Sequence, residues 1–203
     1  MTGKTKGFGP ENALTDWDLV EMARTGRLDA FEELVRRYEQ PLVSFCMRMV
    51  GSRQDAEDLA QETFVRVYRY LHRLKPQAKF STVLFGISRN LTLNFLRDNR
   101  RRGRGMIDSL TQDDDSERLV EDEARRPDRA ARLREIESAI ERGLASLSPE
   151  HREVLVLREI QGLDYEAIAT IVKCRKGTVK SRIARAREQL RKHIESQLGE
   201  NVL

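Results

Sequence analysis

The fold is decided by residues 165–190, which read YEAIATIVKCRKGTVKSRIARAREQL. Apolar residues recur there at three- and four-residue steps in two runs, the period of helices that bury one face. The first run ends at Val172, and the second begins at Val179. Residues 173–177, which lie between them, predict a turn. The pattern therefore predicts a short helix, a turn and a second helix, which is the helix-turn-helix arrangement.

The second of these helices is predicted to carry a DNA-binding face. Opposite its apolar stripe it presents small and hydrogen-bonding side chains, with cations at both edges. Such a face fits a major groove, because the cations contact phosphates while the central side chains reach base edges. The alternative is a solvated basic face on an ordinary surface helix. The residues predicted to bind DNA here are Arg175, Thr178, Lys180, Ser181, Arg182, Ala184, Arg185 and Arg187.

Charge is distributed unevenly along the 203 residues, although the net charge is only +4. Residues 97–104 hold five arginines against one aspartate, and residues 173–192 hold nine basic residues against one glutamate. Between these two basic blocks, residues 108–123 hold eight carboxylates against one arginine. Two basic blocks separated by an acidic spacer indicate two nucleic-acid contacts rather than a uniformly cationic surface.

Helical periodicity extends over most of the chain, and strand patterns are almost absent. We therefore predict an all-α fold of two small helical domains joined by a flexible acidic linker, the second domain containing the helix-turn-helix. One long helix is interrupted by Pro41, where we expect a kink or a short break. The predicted segments are a disordered N-terminus at 1–12, a first domain at 13–102, a linker at 103–127 and a second domain at 128–198.

The predicted linker lacks apolar periodicity and cannot bury enough surface to fold. Some two dozen residues reach roughly 80 Å at about 3.3 Å per residue. Two turns of duplex span less than that, at about 34 Å each. The two domains could therefore contact well-separated DNA sites.

Two helices of the first domain carry polar faces beside their apolar stripes. The helix predicted from about Asp55 groups Asp55, Asp58 and Glu62 at steps of three and four, with Gln61 beside them. Such a face suits a basic partner helix through charge-assisted hydrogen bonds, although the helix dipole alone also favours an acidic first turn. The helix predicted from Phe80 presents amides and arginines, which can read unstacked bases and hold a strand backbone.

Four stretches together resemble the extracytoplasmic-function sigma factors of bacterial RNA polymerase: DAEDLAQETF at 55–64, FSTVLFGISRN at 80–90, LSPEHREVL at 147–155 and GTVKSRIARAR at 177–187. The resemblance implies that the first domain binds core polymerase and the promoter's minus-ten element, and that the second binds the minus-thirty-five element. The implied polymerase-binding residues are Asp55, Asp58, Gln61 and Glu62. The implied minus-ten residues are Lys75, Lys79, Arg89, Asn90, Asn94, Arg97 and Arg101, the two lysines in a loop where the family captures a flipped base.

The same resemblance implies the partners and the compartment. The implied partners are promoter DNA and two parts of the polymerase, the coiled-coil of the largest subunit and the flap. An anti-sigma factor is a further candidate, although no residue pattern identifies one. A cytoplasmic protein without membrane insertion is expected, because no stretch approaches the length of a spanning helix and no signal peptide is evident at the N-terminus. Two cysteines in different helices suit a reducing compartment, and Cys46 on an apolar stripe is predicted to be buried.

Two other classes of protein compete with this interpretation. An enzyme is not expected, because the three histidines have no metal-ligand spacing with the cysteines and no phosphate-binding glycine loop or nucleophile motif is present; no cofactor or metal is expected either. The better alternative is a stand-alone dimeric helix-turn-helix regulator that binds two symmetric half-sites. A second cationic surface in the first domain argues against it, since a dimerisation domain has no need of one.

Overall fold

The computed structural model describes residues 14–103 and 127–198, with side chains from residue 132 onward in the second range. All regular secondary structure within these ranges is helical, which confirms the predicted fold class. The predicted disordered segment 1–12 and nearly all of the predicted linker lie outside the described residues.

The first domain contains four helices, α1 (Asp16–Arg24), α2 (Leu28–Val50), α3 (Arg53–Arg69) and α4 (Phe80–Arg101). Thr15 caps α1 in a capping box with Asp18, and the Ser52 side chain caps α3. Both caps satisfy amide groups that the first turn of a helix leaves unpaired. The link from α3 to α4 contains a single 3₁₀ turn, Leu71–Arg73.

Helix α2 runs without interruption through Pro41, so the short break that we allowed for at this residue is wrong. Proline removes one amide donor from a helix. Leu34 on one side of it, and Leu42 and Phe45 on the other, are fully buried in the same core. Their burial stabilises a continuous helix despite the lost hydrogen bond.

The second domain contains α5 (Pro127–Ser146), α6 (Pro149–Leu155), α7 (Tyr165–Val172) and α8 (Lys176–Leu198). Ser148 caps α6, whose first residue is a proline, as the sequence predicts. Helix α6 continues into a wider turn at Val156–Ile160. Helix α7 is capped by Asp164, which accepts hydrogen bonds from the amides of Glu166 and Ala167. Helices α7 and α8 form the predicted helix-turn-helix.

The turn between α7 and α8 is shorter than predicted, because α8 begins at Lys176 rather than after Gly177. Lys173 ends α7 in the left-handed region, with φ of 54°. This conformation is costly for a residue with a β-carbon. It lets the chain change direction within the three residues between α7 and α8. The turn therefore fixes α8 against α7.

The two domains pack against each other. Helix α4 contacts α7, and α2 contacts α5 and α6. Buried apolar residues of both domains form one continuous cluster. Cys46 lies in its interior, as predicted, within 3.2 Å of the Ser88 hydroxyl.

Candidate protein and nucleic-acid interfaces

Helix α3 presents the predicted acidic face on the side away from the core. Asp58 and Gln61 are exposed, whereas Asp55 and Glu62 are half-buried. The Glu62 carboxylate accepts a hydrogen bond from Arg66 at 2.7 Å, so part of its charge is compensated within the helix. Within the described residues Asp58 takes part in no ion pair, and it is the carboxylate of this face most available to a partner.

An apolar groove of about 540 Å³, which was not predicted from the sequence, adjoins the acidic face. It lies between α2 and α3, with Gln61 in its lining, so the acidic face and the groove share an edge. Tyr68 is 45% exposed and contacts Phe31 edge-on, with ring centroids 5.0 Å apart. The groove's apolar lining is Phe31, Val35, Val43, Ala60, Phe64, Val65 and Tyr68. Its signal in the sequence is Val65 and Tyr68, which follow Gln61 at helical steps outside the core stripe of α3.

Helix α4 carries four of the predicted minus-ten residues on one surface. Asn90, Asn94, Arg97 and Arg101 are exposed and follow one another at steps of four, three and four. The opposite side of α4 is buried through residues such as Leu84, Ser88 and Leu91. We call the four exposed residues the α4 face. Two amides and two cations in this arrangement can bind an unstacked strand.

Arg89 does not lie on the α4 face, because its side chain is engaged by the second domain. Its Nε and Nη2 donate to the Glu153 carboxylate of α6 at 2.6 and 3.0 Å. Glu153 is fully buried and the Arg89 side chain is 15% exposed. Burial raises the pKa of the Glu153 carboxyl, and the hydrogen bonds and charge of Arg89 oppose that change. The pair is a buried bidentate ion pair between the domains.

Arg152, the residue before Glu153, makes a second polar contact between the domains. Its guanidinium donates to the Met49 carbonyl oxygen at 2.9 Å, near the C-terminal end of α2, and also to the carbonyls of Ala145 and Leu147. Burial lowers the pKa of Arg152 to about 10, with the charge of Arg100 as a further cause. Adjacent residues of α6 therefore reach both α2 and α4.

The predicted lysines lie in the loop before α4. Lys75 and Lys79 are exposed. Lys79 Nζ lies 3.6 Å from a carboxylate oxygen of Asp164, the residue that caps α7. Both side chains of this pair are more than half exposed, so the contact contributes little to stability. Side chains of α1 donate hydrogen bonds to the backbone of this loop.

Helix α8 presents the predicted helix-turn-helix face to solvent. Ser181 and Ala184 form its exposed centre, flanked by the exposed cations Lys180 and Arg185. We call these four residues the α8 face. The core side consists of Val179, Ile183 and Ala186. Arg175 is exposed just before the helix, and Thr178 in its first turn is half-buried.

Two other predicted DNA ligands on α8 form ion pairs inside the second domain. Arg182 is 23% exposed and pairs with Glu150 at 2.7 Å, and Arg187 pairs with Glu159 at 2.6 Å. Arg182 lies beside the core stripe of α8, whereas Arg187 is 55% exposed. The two ion pairs link α8 to α6 and to the turn that follows α6.

Neither a metal site nor a membrane span is found in the part of the chain that the structure describes. No three His, Cys, Asp or Glu side chains converge there on one point. No helix of residues 14–103 or 127–198 combines the length and apolarity needed to cross a membrane.

Comparison with known proteins gives two family matches that follow the two domains. Residues 34–102 match Sigma-70 region 2, and residues 137–190 match Sigma-70, region 4. The first match contains α3 and α4 with their polar faces, and it begins after α1. The second contains the helix-turn-helix.

The chain also resembles complete proteins over most of its length. It is 38% identical over 189 residues to the RNA polymerase sigma-H factor of Pseudomonas aeruginosa, covering 91% of this chain and 96% of that protein. It is 35% identical over 178 residues to the ECF RNA polymerase sigma-E factor of Escherichia coli, covering 87% and 93%. A solved structure of the sigma factor RpoE in complex with the anti-sigma factor NepR from Bartonella quintana is similar, with a TM-score of 0.59, 27% identity and coverage of 81% and 96%.

Proposed function

The chain belongs to the extracytoplasmic-function sigma factors of RNA polymerase, and on that premise we propose which of its surfaces bind polymerase and which bind the promoter. As a sigma factor it directs RNA polymerase to specific promoters in transcription initiation. The observation that carries the proposal is the presence of three separate surfaces: an acidic face beside an apolar groove, the α4 face and the α8 face.

The polymerase-binding surface proposed here combines the acidic face of α3 with the adjoining groove. Asp55, Asp58, Gln61 and Glu62 would bind cations of the coiled-coil in the largest subunit. The groove would take an apolar residue of the same coiled-coil, since Phe64 and Tyr68 line it next to Gln61. Burial of apolar surface supplies affinity, whereas the carboxylates select a basic partner.

The minus-ten surface proposed here is the α4 face with the preceding loop. Asn90 and Asn94 would bind edges of unpaired bases, while Arg97 and Arg101 hold the strand backbone. The loop that carries Lys75 and Lys79 would form the wall of a pocket for a flipped base. Arg89 would also bind minus-ten DNA, but only after it leaves its ion pair with Glu153. Its guanidinium already donates to Glu153, so the second domain must move away before Arg89 can reach DNA.

The minus-thirty-five surface proposed here is the α8 face with Arg175 and Thr178. Ser181, Ala184 and Arg185 would lie against base edges in a major groove, and Lys180 would contact phosphate. Arg182 and Arg187 would act mainly by orienting α8, because their guanidiniums are paired with Glu150 and Glu159.

The domain limits and the remaining partners are part of the same proposal. The domains would extend over 13–102 and 128–198, with residues 103–127 spanning the distance between the two promoter elements. The second domain would also contact the polymerase flap. An anti-sigma factor is a candidate partner, as in the RpoE complex. The chain would act in the cytoplasm and perform no chemistry of its own, since the polymerase supplies the catalysis.

Reversing one charge on α3 tests the polymerase-binding surface. Asp58→Arg places a cation opposite a basic partner helix, so we expect affinity for core polymerase to fall by at least about tenfold with folding unchanged. Glu141→Arg makes the same charge change on exposed α5 and should leave affinity unaltered. Titration of labelled protein with core polymerase measures both. Equal affinity of Asp58→Arg and the unsubstituted protein would remove this surface from the account.

A further inference from the structure

Helix α1 lies outside the region 2 match, yet its side chains hold the loop proposed to bind the minus-ten element. This loop, residues 71–79, joins α3 to α4 and carries Lys75 and Lys79 on its exposed side. Apart from one 3₁₀ turn it has no regular structure, so most of its carbonyls have no partner within a helix. Such carbonyls are satisfied by side chains or water, and a side chain that binds them fixes the path of the loop.

Two side chains of α1 bind three carbonyls spread along this loop. Arg24 Nε donates to the Leu71 carbonyl oxygen at 3.0 Å, and Arg24 Nη2 donates to that of Leu74. Trp17 Nε1 donates to the Ala78 carbonyl oxygen at 2.9 Å. The start, the middle and the end of the loop are therefore each attached to the same helix.

The Trp17 ring also packs at the start of α4. It lies edge-on to Phe80, the first residue of α4, with ring centroids 6.2 Å apart. Tyr38 of α2 contacts the same phenylalanine at 5.4 Å. The indole thus joins the end of the loop to the helix that carries the α4 face.

Helix α1 is itself fixed to α2, so it can serve as a rigid support. The Asp16 carboxylate accepts hydrogen bonds from Tyr38 Oη at 2.5 Å and from Arg37 Nη1 at 3.0 Å. Burial and the hydrogen bond to Asp16 raise the pKa of the Tyr38 phenol. On its inner side α1 buries Leu19, Val20 and Ala23.

We propose that Trp17 and Arg24 are positioning residues for minus-ten recognition, which set the loop in its binding shape without touching DNA. This inference rests on the proposed function of the loop and the α4 face. A loop whose backbone is already held loses less conformational entropy on binding, and its side chains discriminate between bases only where their positions are fixed. Loss of the hydrogen bonds to these carbonyls should therefore reduce discrimination between minus-ten sequences while the domain stays folded.

Substitutions that remove donors while keeping packing test this inference. Trp17→Phe keeps a ring against Phe80 and removes the N–H. Arg24→Met keeps the stem and removes both donors to the loop, together with an ion pair to Glu21. Arg24→Lys keeps the charge and can bind one carbonyl, so it should recover part of the effect. Arg27→Met is the matched control, because Arg27 is more than half exposed and pairs with Asp29 rather than with the loop.

The first measurement needs no assumption about function. Trypsin cleaves after Arg73 and Lys79, the two loop sites that no proline follows. We expect cleavage at these sites in the free chain to be about tenfold faster in Trp17→Phe and Arg24→Met, the effect of losing one or two hydrogen bonds. Unchanged cleavage in both variants, with Arg27→Met as reference, would show that α1 does not hold the loop.

The second measurement uses holoenzyme reconstituted with core polymerase. The ratio of open-complex formation on a cognate and on a base-substituted minus-ten element should fall about fivefold to tenfold in both variants, with core affinity unchanged. A purely structural role for α1 would lower both rates together and leave this ratio constant. The variant Asn90→Ala separates the two possible failures. If Asn90→Ala also leaves the ratio unchanged, the proposed minus-ten surface is wrong. If the ratio falls in Asn90→Ala but not in the two α1 variants, only the positioning role is overturned.

Discussion

The α8 face and the α4 face differ in how the rest of the chain treats their cations. On α8, the paired cations Arg182 and Arg187 bind carboxylates of their own domain, and Lys180 and Arg185 remain exposed. Next to the α4 face, Arg89 is bound to Glu153 of the other domain. The proposed minus-thirty-five surface is therefore complete when the domains are packed together. The proposed minus-ten surface gains Arg89 only when they separate.

This difference shows that two similar charge patterns in a sequence can have different consequences in the fold. An ion pair within a domain orients a helix and persists during binding. An ion pair between domains has to break before its cation can bind anything else. Which kind of ion pair forms depends on whether the carboxylate lies in the same domain as the cation. The number of cations in the sequence does not show this.

The largest effect should come from breaking the buried pair in the free protein. Arg89→Met leaves the Glu153 carboxylate buried without a partner, which costs about 3–5 kcal/mol. Separation of the domains returns that carboxylate to water, so we expect separation, seen as a larger radius of gyration in small-angle scattering.

Two further variants control that test. Arg36→Met removes an exposed ion pair with Glu33 on α2 and should leave the radius of gyration unchanged. The double variant Arg89→Met with Glu153→Leu replaces the pair by apolar groups and should return the packed state. If Arg89→Met keeps the dimensions of the unsubstituted protein, the pair does not hold the domains together, and the contrast with α8 is lost.

A smaller effect is expected at the centre of the α8 face. Arg185→Ala should weaken holoenzyme binding to a cognate upstream element by about 1–3 kcal/mol, because a guanidinium that binds a base edge contributes that much discrimination. Arg191→Ala, on the same helix but paired with Glu188 and Glu195, is the control. Competition binding with cognate and scrambled upstream elements measures the difference. An equal loss on both elements would assign Arg185 to phosphate alone.

The smallest effect separates the exposed cations of α8 from the paired ones. Lys180→Ala should lower the slope of log affinity against log salt by about 1, as expected for one lost phosphate contact. Arg182→Ala should leave that slope nearly unchanged and lower stability by up to about 1 kcal/mol, since the pair with Glu150 is partly exposed. Salt titrations of DNA binding and urea unfolding measure the two quantities. A larger change of slope in Arg182→Ala than in Lys180→Ala would reverse this assignment.

The parts of the fold set by local periodicity could be predicted from the sequence. Helix α4 begins at Phe80, as predicted, and the helix-turn-helix was predicted apart from the first turn of α8. The continuity of α2 at Pro41 was not predicted. The effect of proline on a helix can be read from the sequence, whereas the burial of Leu34, Leu42 and Phe45 depends on tertiary packing. The three- and four-residue spacing of the polar residues was enough to predict that the α4 and α8 faces are exposed.

The partners of individual cations could not be predicted from spacing. Arg89 and Glu153 are 64 residues apart and meet only because the two domains pack together, with α4 against α7. The contact of Trp17 with Ala78 likewise joins segments 61 residues apart and ends on a backbone carbonyl, which no residue pattern marks. The Trp17 indole combines this donor role with packing against Phe80.

Run-off transcription with purified core polymerase tests the central claim most directly, namely that one chain binds polymerase through α3 and a promoter through two further surfaces. On fragments of the source genome, the account predicts discrete transcripts that require the chain, persist with Glu141→Arg and disappear with Asp58→Arg. Transcripts that form equally well without the chain, or with Asp58→Arg at the same concentration, would contradict it.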